Sequence, residues 1–224
     1  MMPFERQSPP AFWADKERQL GDKLRTRQPG HAIPDVLAWQ HDSRSLAAWF
    51  HEQVRPASQP RLCAYCDERL GVTSPETVDH FIPQHAHPEL ALCWQNLYPA
   101  CAFCNQTAKG TKWSCHLLRP DVDLCGATAH EAFSTWFDFD PDSGRLCPAP
   151  EASRRMRARV RLTLRVFALN TPARCQARRM RWRSLQYAVR AGQAADIQED
   201  AQQGPYRFVA ERYLAAGLAA GPSV

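Results

Sequence analysis

Two cysteine pairs of the form C-x2-C, Cys63-Ala64-Tyr65-Cys66 and Cys101-Ala102-Phe103-Cys104, constrain this chain more than any other feature. Each pair can reach one metal from a tight turn, so together they can supply the four thiolates of a tetrahedral structural zinc site. A zinc held this way closes the segment between the pairs into a loop. The chain has nine cysteines, an odd number, and the paired spacing reads as metal binding in a reducing compartment rather than as a disulfide framework. Inside and beside the loop stand Asp79, His80 and Asn105, an acid, an imidazole and an amide. Such a set can hold a divalent metal and activate a water.

The chain of 224 residues is 44% hydrophobic with seven tryptophans, enough for a real core in one domain with extensions or in two small ones. No apolar run approaches the roughly 20 residues that span a bilayer, and the first residues lack the apolar stretch of a signal peptide, so the expected location is cytoplasmic. The net charge of +5 is unevenly placed. Between Glu151 and Arg190 there are twelve arginines, no lysine and one acid. Clustered guanidinium groups attract phosphate backbones, because each offers a planar fork of donors and binding releases condensed counterions. The expected contacts are Arg174, Arg178 and Arg181, with nucleic acid as the partner. A solvated helix face, or a docking surface for an acidic protein, is the plainer alternative.

The sequence divides into three segments. Residues 1–60 should be a helical extension, with one helix running to about Arg27 before Pro29-Gly30. A second follows, in which Leu46, Trp49, Phe50 and Val54 mark a buried stripe and Ser43 or Ser45 caps the start. Residues 61–118 should hold the core: a knuckle at Cys63–Cys66, a strand over Thr77–Phe81, a Pro-rich loop and a returning strand at Leu97-Tyr98. A helix from about Ala100 to Lys109 follows, with Gly110 as its left-handed cap. Residues 119–224 should form a hairpin from Trp136 to Leu146, then two basic helices. The first carries Met156, Val160, Leu164 and Phe167 inward, and the second starts at Asn170 or Thr171 with Pro172. An acidic break at Asp196–Asp200 precedes a last helix over Tyr206–Ala220, with Val209, Tyr213 and Leu218 on its stripe. Cys93, Cys115, Cys125, Cys147 and Cys175 lack pair spacing and read as small core residues. His31, His41, His51, His85 and His87 read as surface or satisfied histidines.

Hydrolysis of a phosphodiester needs a deprotonated water in line with the leaving oxygen, and imidazole titrates closest to neutrality. His80 suits that role, and Asp79 and Asn105 offer hard oxygens for Mg2+ or Mn2+. Neighbours on a regular strand point to opposite faces, so Asp79 and His80 share one site only if the strand ends or bulges there, which Pro83 favours. Lys109 could bind phosphate or could simply complement the helix C-terminus.

The order C-x2-C, Asp79-His80 with Pro83, Asn96-Leu97, C-x2-C-Asn105 and Lys109-Gly110 resembles HNH endonucleases of the ββα-metal, or His-Me finger, type. The match runs from Cys63 to Gly110. The resemblance implies that His80 is the general base, that Asp79 and Asn105 ligate a catalytic divalent metal, and that Asn96 orients the site. With its flanks included, the chain is similar to the PtuB-type nuclease proteins of Septu and some retron antiphage systems. Leu118-Arg119-Pro120-Asp121 and Phe167-Ala168-Leu169-Asn170 before the arginine-rich helix carry that similarity. It implies an ABC-type ATPase partner of the PtuA kind. The expected fold is α+β, a small ββα-metal core on a four-cysteine zinc knuckle between helical extensions. Expected function is metal-dependent cleavage of DNA. The alternatives are a zinc-ribbon nucleic-acid-binding module without catalysis and an ATPase-docking subunit.

Overall fold

The computed structural model describes residues 1–26 except Phe4, and residues 35–72, 74–124, 126 and 129–217. Elements follow in chain order: α1 (Trp13–Arg25), β1 (Gln40–His41), β2 (Arg44–Ser45), α2 (Leu46–Gln53), β3 (Glu76–His80) and β4 (Leu97–Cys101). A π-helix (Phe103–Lys109) comes next, then α3 (Ala129–Ser134), β5 (Phe137–Phe139), β6 (Leu146–Pro148), α4 (Arg154–Val166), α5 (Pro172–Arg190), α6 (Ala194–Gln203) and α7 (Arg207–Ala215). Among the described residues the strands pair as antiparallel hairpins: β1 with β2, β3 with β4, and β5 with β6. The fold is thus α+β, helices around small sheets, as the sequence implies. No helix of the described residues is long and apolar enough to cross a membrane.

Two apolar clusters hold these elements. In the first, α1 and α2 present Trp13, Leu20, Leu46 and Phe50 to Ala91, Leu92, Trp94 and Leu97, with Trp13 and Trp94 edge to face at 4.8 Å. This is the predicted stripe of α2, and of the two candidate caps it is Ser45 that accepts the Ala48 N–H, at 3.2 Å. The cluster fixes the loop between β3 and β4. The second and larger cluster joins the knuckle and β4 to the β5–β6 hairpin and to α4, α5, α6 and α7. Tyr65 stacks on Phe167 at 3.9 Å, which ties the knuckle to the end of α4. Ser153 caps α4 by accepting the Met156 N–H, and Thr171 with Pro172 opens α5.

Several sequence expectations are corrected. The segment after β4 begins its helix at Phe103 rather than Ala100, because β4 continues through Cys101. It is also a π-helix, closed by Gly110 N–H donating to Asn105 O at 2.7 Å. Gly110 has φ +52 and ψ −122, so it ends the helix in a conformation that favours glycine but lies outside the left-handed helical region expected of it. The acidic run Asp196–Asp200 is not a break. It lies within α6, where Asp200 is ion-paired with Arg181 of α5. Cys115 and Cys147 are exposed and Cys93 is half-buried, so of the described single cysteines only Cys175 lies in the core. Pro29-Gly30, His31, Cys125 and Leu218 lie outside the described residues.

Candidate metal centre and active site

The two C-x2-C pairs meet. The Sγ atoms of Cys63, Cys66, Cys101 and Cys104 all lie within 4.8 Å of one another, and all four residues are buried. Cys63 and Cys66 come from the knuckle, Cys101 from the end of β4 and Cys104 from the π-helix. The Cys66 and Cys101 sulfurs are 3.8 Å apart. A tetrahedron with zinc–sulfur bonds of about 2.3 Å has sulfur edges of about 3.8 Å, so the Cys66–Cys101 separation is already that of a zinc site and the four-cysteine cluster could bind zinc. Hydrogen bonds from Cys104, Cys63 and Cys66 hold the Cys101 thiol below the ordinary range. Arg174 faces it, with Nη2 3.1 Å from the Cys104 Sγ and 3.8 Å from the Cys101 Sγ. A guanidinium here offsets part of the negative charge that four thiolates carry.

Beside this centre β3 and β4 run in register, Asp79 opposite Tyr98 and His80 opposite Leu97. The ladder carries no bulge and β3 stops at His80, so alternation sends the two side chains to opposite faces. Asp79 turns inward and is 2% exposed. Its Oδ1 accepts from Lys109 Nζ at 2.9 Å and its Oδ2 from the Tyr65 hydroxyl at 2.5 Å. Burial raises the Asp79 carboxyl, while the Lys109 charge and the Tyr65 hydrogen bond oppose that shift. Asn105 lies on the same side, because its Nδ2 donates to Thr77 Oγ1 at 3.0 Å and Thr77 shares a strand face with Asp79. Among the described residues the Asn105 Oδ1 has no hydrogen-bond partner.

His80 lies on the other face. Its Nε2 is 2.9 Å from the Ala91 carbonyl, which can only accept, so Nε2 carries the proton and Nδ1 keeps its lone pair. Burial lowers the His80 pKa, against the opposing pull of the Ala91 carbonyl and the Asp79 charge. Asn96 holds the loop that supplies this carbonyl. Its Nδ2 donates to the Ile82 and Leu90 carbonyls at 3.0 and 3.1 Å, and its Oδ1 accepts the Ile82 N–H at 2.8 Å. No hydrogen bond links His80, Asp79, Asn96 and Asn105 side chain to side chain. Lys109 bridges the first two, since Nζ also donates to the His80 carbonyl at 2.8 Å.

Three basic residues expected on a nucleic-acid surface face inward instead. Lys109 is 1% exposed, Arg178 is 1% and Arg174 is 7%. Arg178 donates to the Gly144 and Leu169 carbonyls at 2.7 and 2.9 Å and to Asn170 Oδ1 at 3.0 Å. Gly144, with φ +72, is required there because a Cβ would meet the Cys175 carbonyl oxygen at 2.1 Å. Arg181 is half-buried and committed to Asp200. Charge pairing and carbonyl acceptors thus hold these side chains against the protein. Arg178→Ala should take this donor from the buried Gly144 and Leu169 carbonyls and cost about 3 kcal/mol, read as a lower chemical-denaturation midpoint with zinc content retained.

Residues 63–110 match the family model of HNH endonucleases. Over 64 residues the chain is 41% identical to the Septu protein PtuB of Bacillus thuringiensis, an alignment covering 27% of this chain and 24% of that protein. Over 110 residues it is 29% identical to the 3'-5' exonuclease Snipper of Drosophila melanogaster, covering 49% of this chain and 33% of that protein. The chain therefore spans about a quarter to a third of the length of these curated relatives. The HNH segment coincides with the four-cysteine cluster, the β3–β4 hairpin and the π-helix, and the matches support a nuclease role. Tyr65 escaped the sequence reading as a site residue, and Arg174 was read as a nucleic-acid contact rather than as a partner of the cysteine cluster. Tyr65 sits between the first two cysteines, a position that places any side chain beside the metal.

Proposed function

We propose that this chain is a metal-dependent HNH endonuclease that hydrolyses DNA, and that it serves antiphage defence together with an ABC-type ATPase. The observation that carries the reading is His80, held by the Ala91 carbonyl as the tautomer with a free Nδ1 and kept neutral by burial at the end of an HNH hairpin. Nδ1 takes the proton of the attacking water, and Asn96 keeps the loop, and hence the imidazole, in place. The Asp79 carboxylate and the Asn105 Oδ1 are the donors that would hold Mg2+ or Mn2+, one acid and one amide of the kind such ions accept when substrate phosphates complete the shell. These donors lie on the opposite face of β3 from His80, so one phosphate meets both only at the strand's end, where a bound ion would neutralise the charge developing on it. Lys109 now supplies the positive charge at Asp79 and has to yield to it. The ATPase partner is what the PtuB-type resemblance implies.

A second reading is favoured by the same lysine. An ammonium and a phenol already occupy both Asp79 oxygens, as they would in a binding or docking subunit with a dead site. Incubating plasmid with the purified chain, with and without the co-expressed ATPase, in Mg2+ or Mn2+ separates the two. Nicked or linear product in the complex supports the nuclease, and intact plasmid under every condition supports the binding subunit.

The DNA surface we assign to the exposed arginines instead of the buried ones. Arg154, Arg161 and Arg165 lie along one face of α4, exposed and without an ion-pair partner among the described residues. Arg183 and Arg190 are likewise exposed on α5, with half-buried Arg179 on the same face, beside exposed Met180 and Tyr187. Changing the three α4 arginines to glutamine should weaken DNA binding and reduce the salt slope of log K by roughly 2 to 3, with melting unchanged. An unchanged slope would assign this face to protein docking.

A further inference from the structure

Where α2 meets the Glu76 end of β3, a concavity of about 510 Å3 opens, with Arg44, Ala48, His51, Glu52, Arg55 and Arg61 among its lining residues. Two of its three arginines are neutralised, Arg44 by Glu52 and Arg61 by Glu76. Arg55 is not. It is 7% exposed, and its Nη1 donates to the Pro60 carbonyl at 2.7 Å, yet its Nε and Nη2 are buried with no hydrogen-bond partner. Burial pushes this guanidinium down to about 10, the mark of a charge short of an acceptor. His51 Nδ1 lies 3.0 Å from Glu76 Oε1 but off the hydrogen-bonding line, so it too is unsatisfied. Buried donors left open in a charged fork are costly, and a native structure keeps them where something else supplies the acceptors.

We infer that this pocket binds a phosphoryl group, with Nε and Nη2 of Arg55 as its bidentate fork and Arg44 and Arg61 flanking it. Nε and Nη2 of one guanidinium are parallel donors matched to two oxygens of a tetrahedral anion, and with Arg44 and Arg61 each paired to a carboxylate, Arg55 is the charge left to hold it. The cavity exceeds one phosphate, so the group arrives on a larger molecule. Two sources share this chemistry: a free nucleotide and the end of a nucleic-acid strand. Glu76 and His80 share a face of β3 four residues apart, roughly 13 Å, so a strand at His80 can also reach the pocket. The inference does not depend on His80 acting as a base.

Calorimetric titration of the full zinc-loaded chain with inorganic phosphate, adenosine monophosphate and a 5'-phosphorylated dinucleotide tests it without any cleavage readout. Phosphate should bind, and Arg55→Gln should weaken it by about tenfold or more. Because Arg55 also holds Pro60, Ala48→Glu is the second variant. Ala48 is exposed, and a carboxylate there should weaken phosphate binding similarly without removing any internal bond. Tighter binding of the dinucleotide than of the mononucleotide assigns the pocket to strand ends, and the reverse assigns it to free nucleotides. No binding of any of the three up to about 10 mM, or binding that neither variant weakens, overturns the inference.

Discussion

Cys101→Ser is expected to release the zinc and unfold the larger core. Cys101 is one of the four clustered sulfurs, and it joins the end of β4 to the knuckle and the π-helix. Structural zinc binding is worth about 10 to 16 kcal/mol in isolated fingers, and here it is shared with an apolar cluster. A loss of at least about 3 kcal/mol is therefore the expected outcome. The variant also strands Arg174, which is buried against the thiolates and would keep its charge with less to offset it. Metal analysis should show less than one zinc per chain, and the melting transition should broaden or vanish. Full zinc occupancy with a native transition would remove the metal centre from the account of this fold.

What the sequence shows of this structure, and what it hides, follows from what periodicity can encode. Paired cysteines, the β3–β4 hairpin and the stripe of α2 are local patterns, and the cap of α2 was narrowed to Ser43 or Ser45. The π-helix at Phe103–Lys109 has no such pattern, because an i to i+5 bond leaves no mark in a 3.6-residue reading. Arginines are legible as charge but not as direction. Arg174 and Arg178 are one turn apart and continue through Trp182, Leu185 and Val189, so they stand on the apolar stripe of α5 and not on its solvent face. That spacing was the available signal, and counting twelve basic residues obscured it.

The candidate site divides the same way. Asp79, His80, Asn96 and Asn105 could be singled out from residue type and order, but the faces they occupy depend on register, which the sequence left open. A strand ending at His80 was expected from Pro83, and the ending is there without a bulge. Their partners were hidden because each is contributed from elsewhere in the chain. Tyr65 comes from the knuckle, Lys109 from the last turn of the π-helix, and the Ala91 carbonyl from the loop that the N-terminal helices pin down.

His80→Ala in the assembled, active complex should lower cleavage by about 10²- to 10⁴-fold, the range lost with a general base, while DNA binding and zinc content stay as they are. The side chain makes one hydrogen bond, to a loop carbonyl, so folding should change little. The pH profile adds a signature that a merely structural role would not give. Burial places the His80 pKa below its ordinary value of 6.5, and the neutral form is the active one. Cleavage should therefore be flat through neutrality and fall only as pH drops through that lowered value. The sign for stability is the same. Unfolding raises the pKa back, so the unfolded chain binds more protons below about 6.5 and wild type loses stability there, a loss the alanine variant should lack. Wild-type cleavage by His80→Ala would end the proposal that this imidazole is the base, and the binding-subunit reading would take its place.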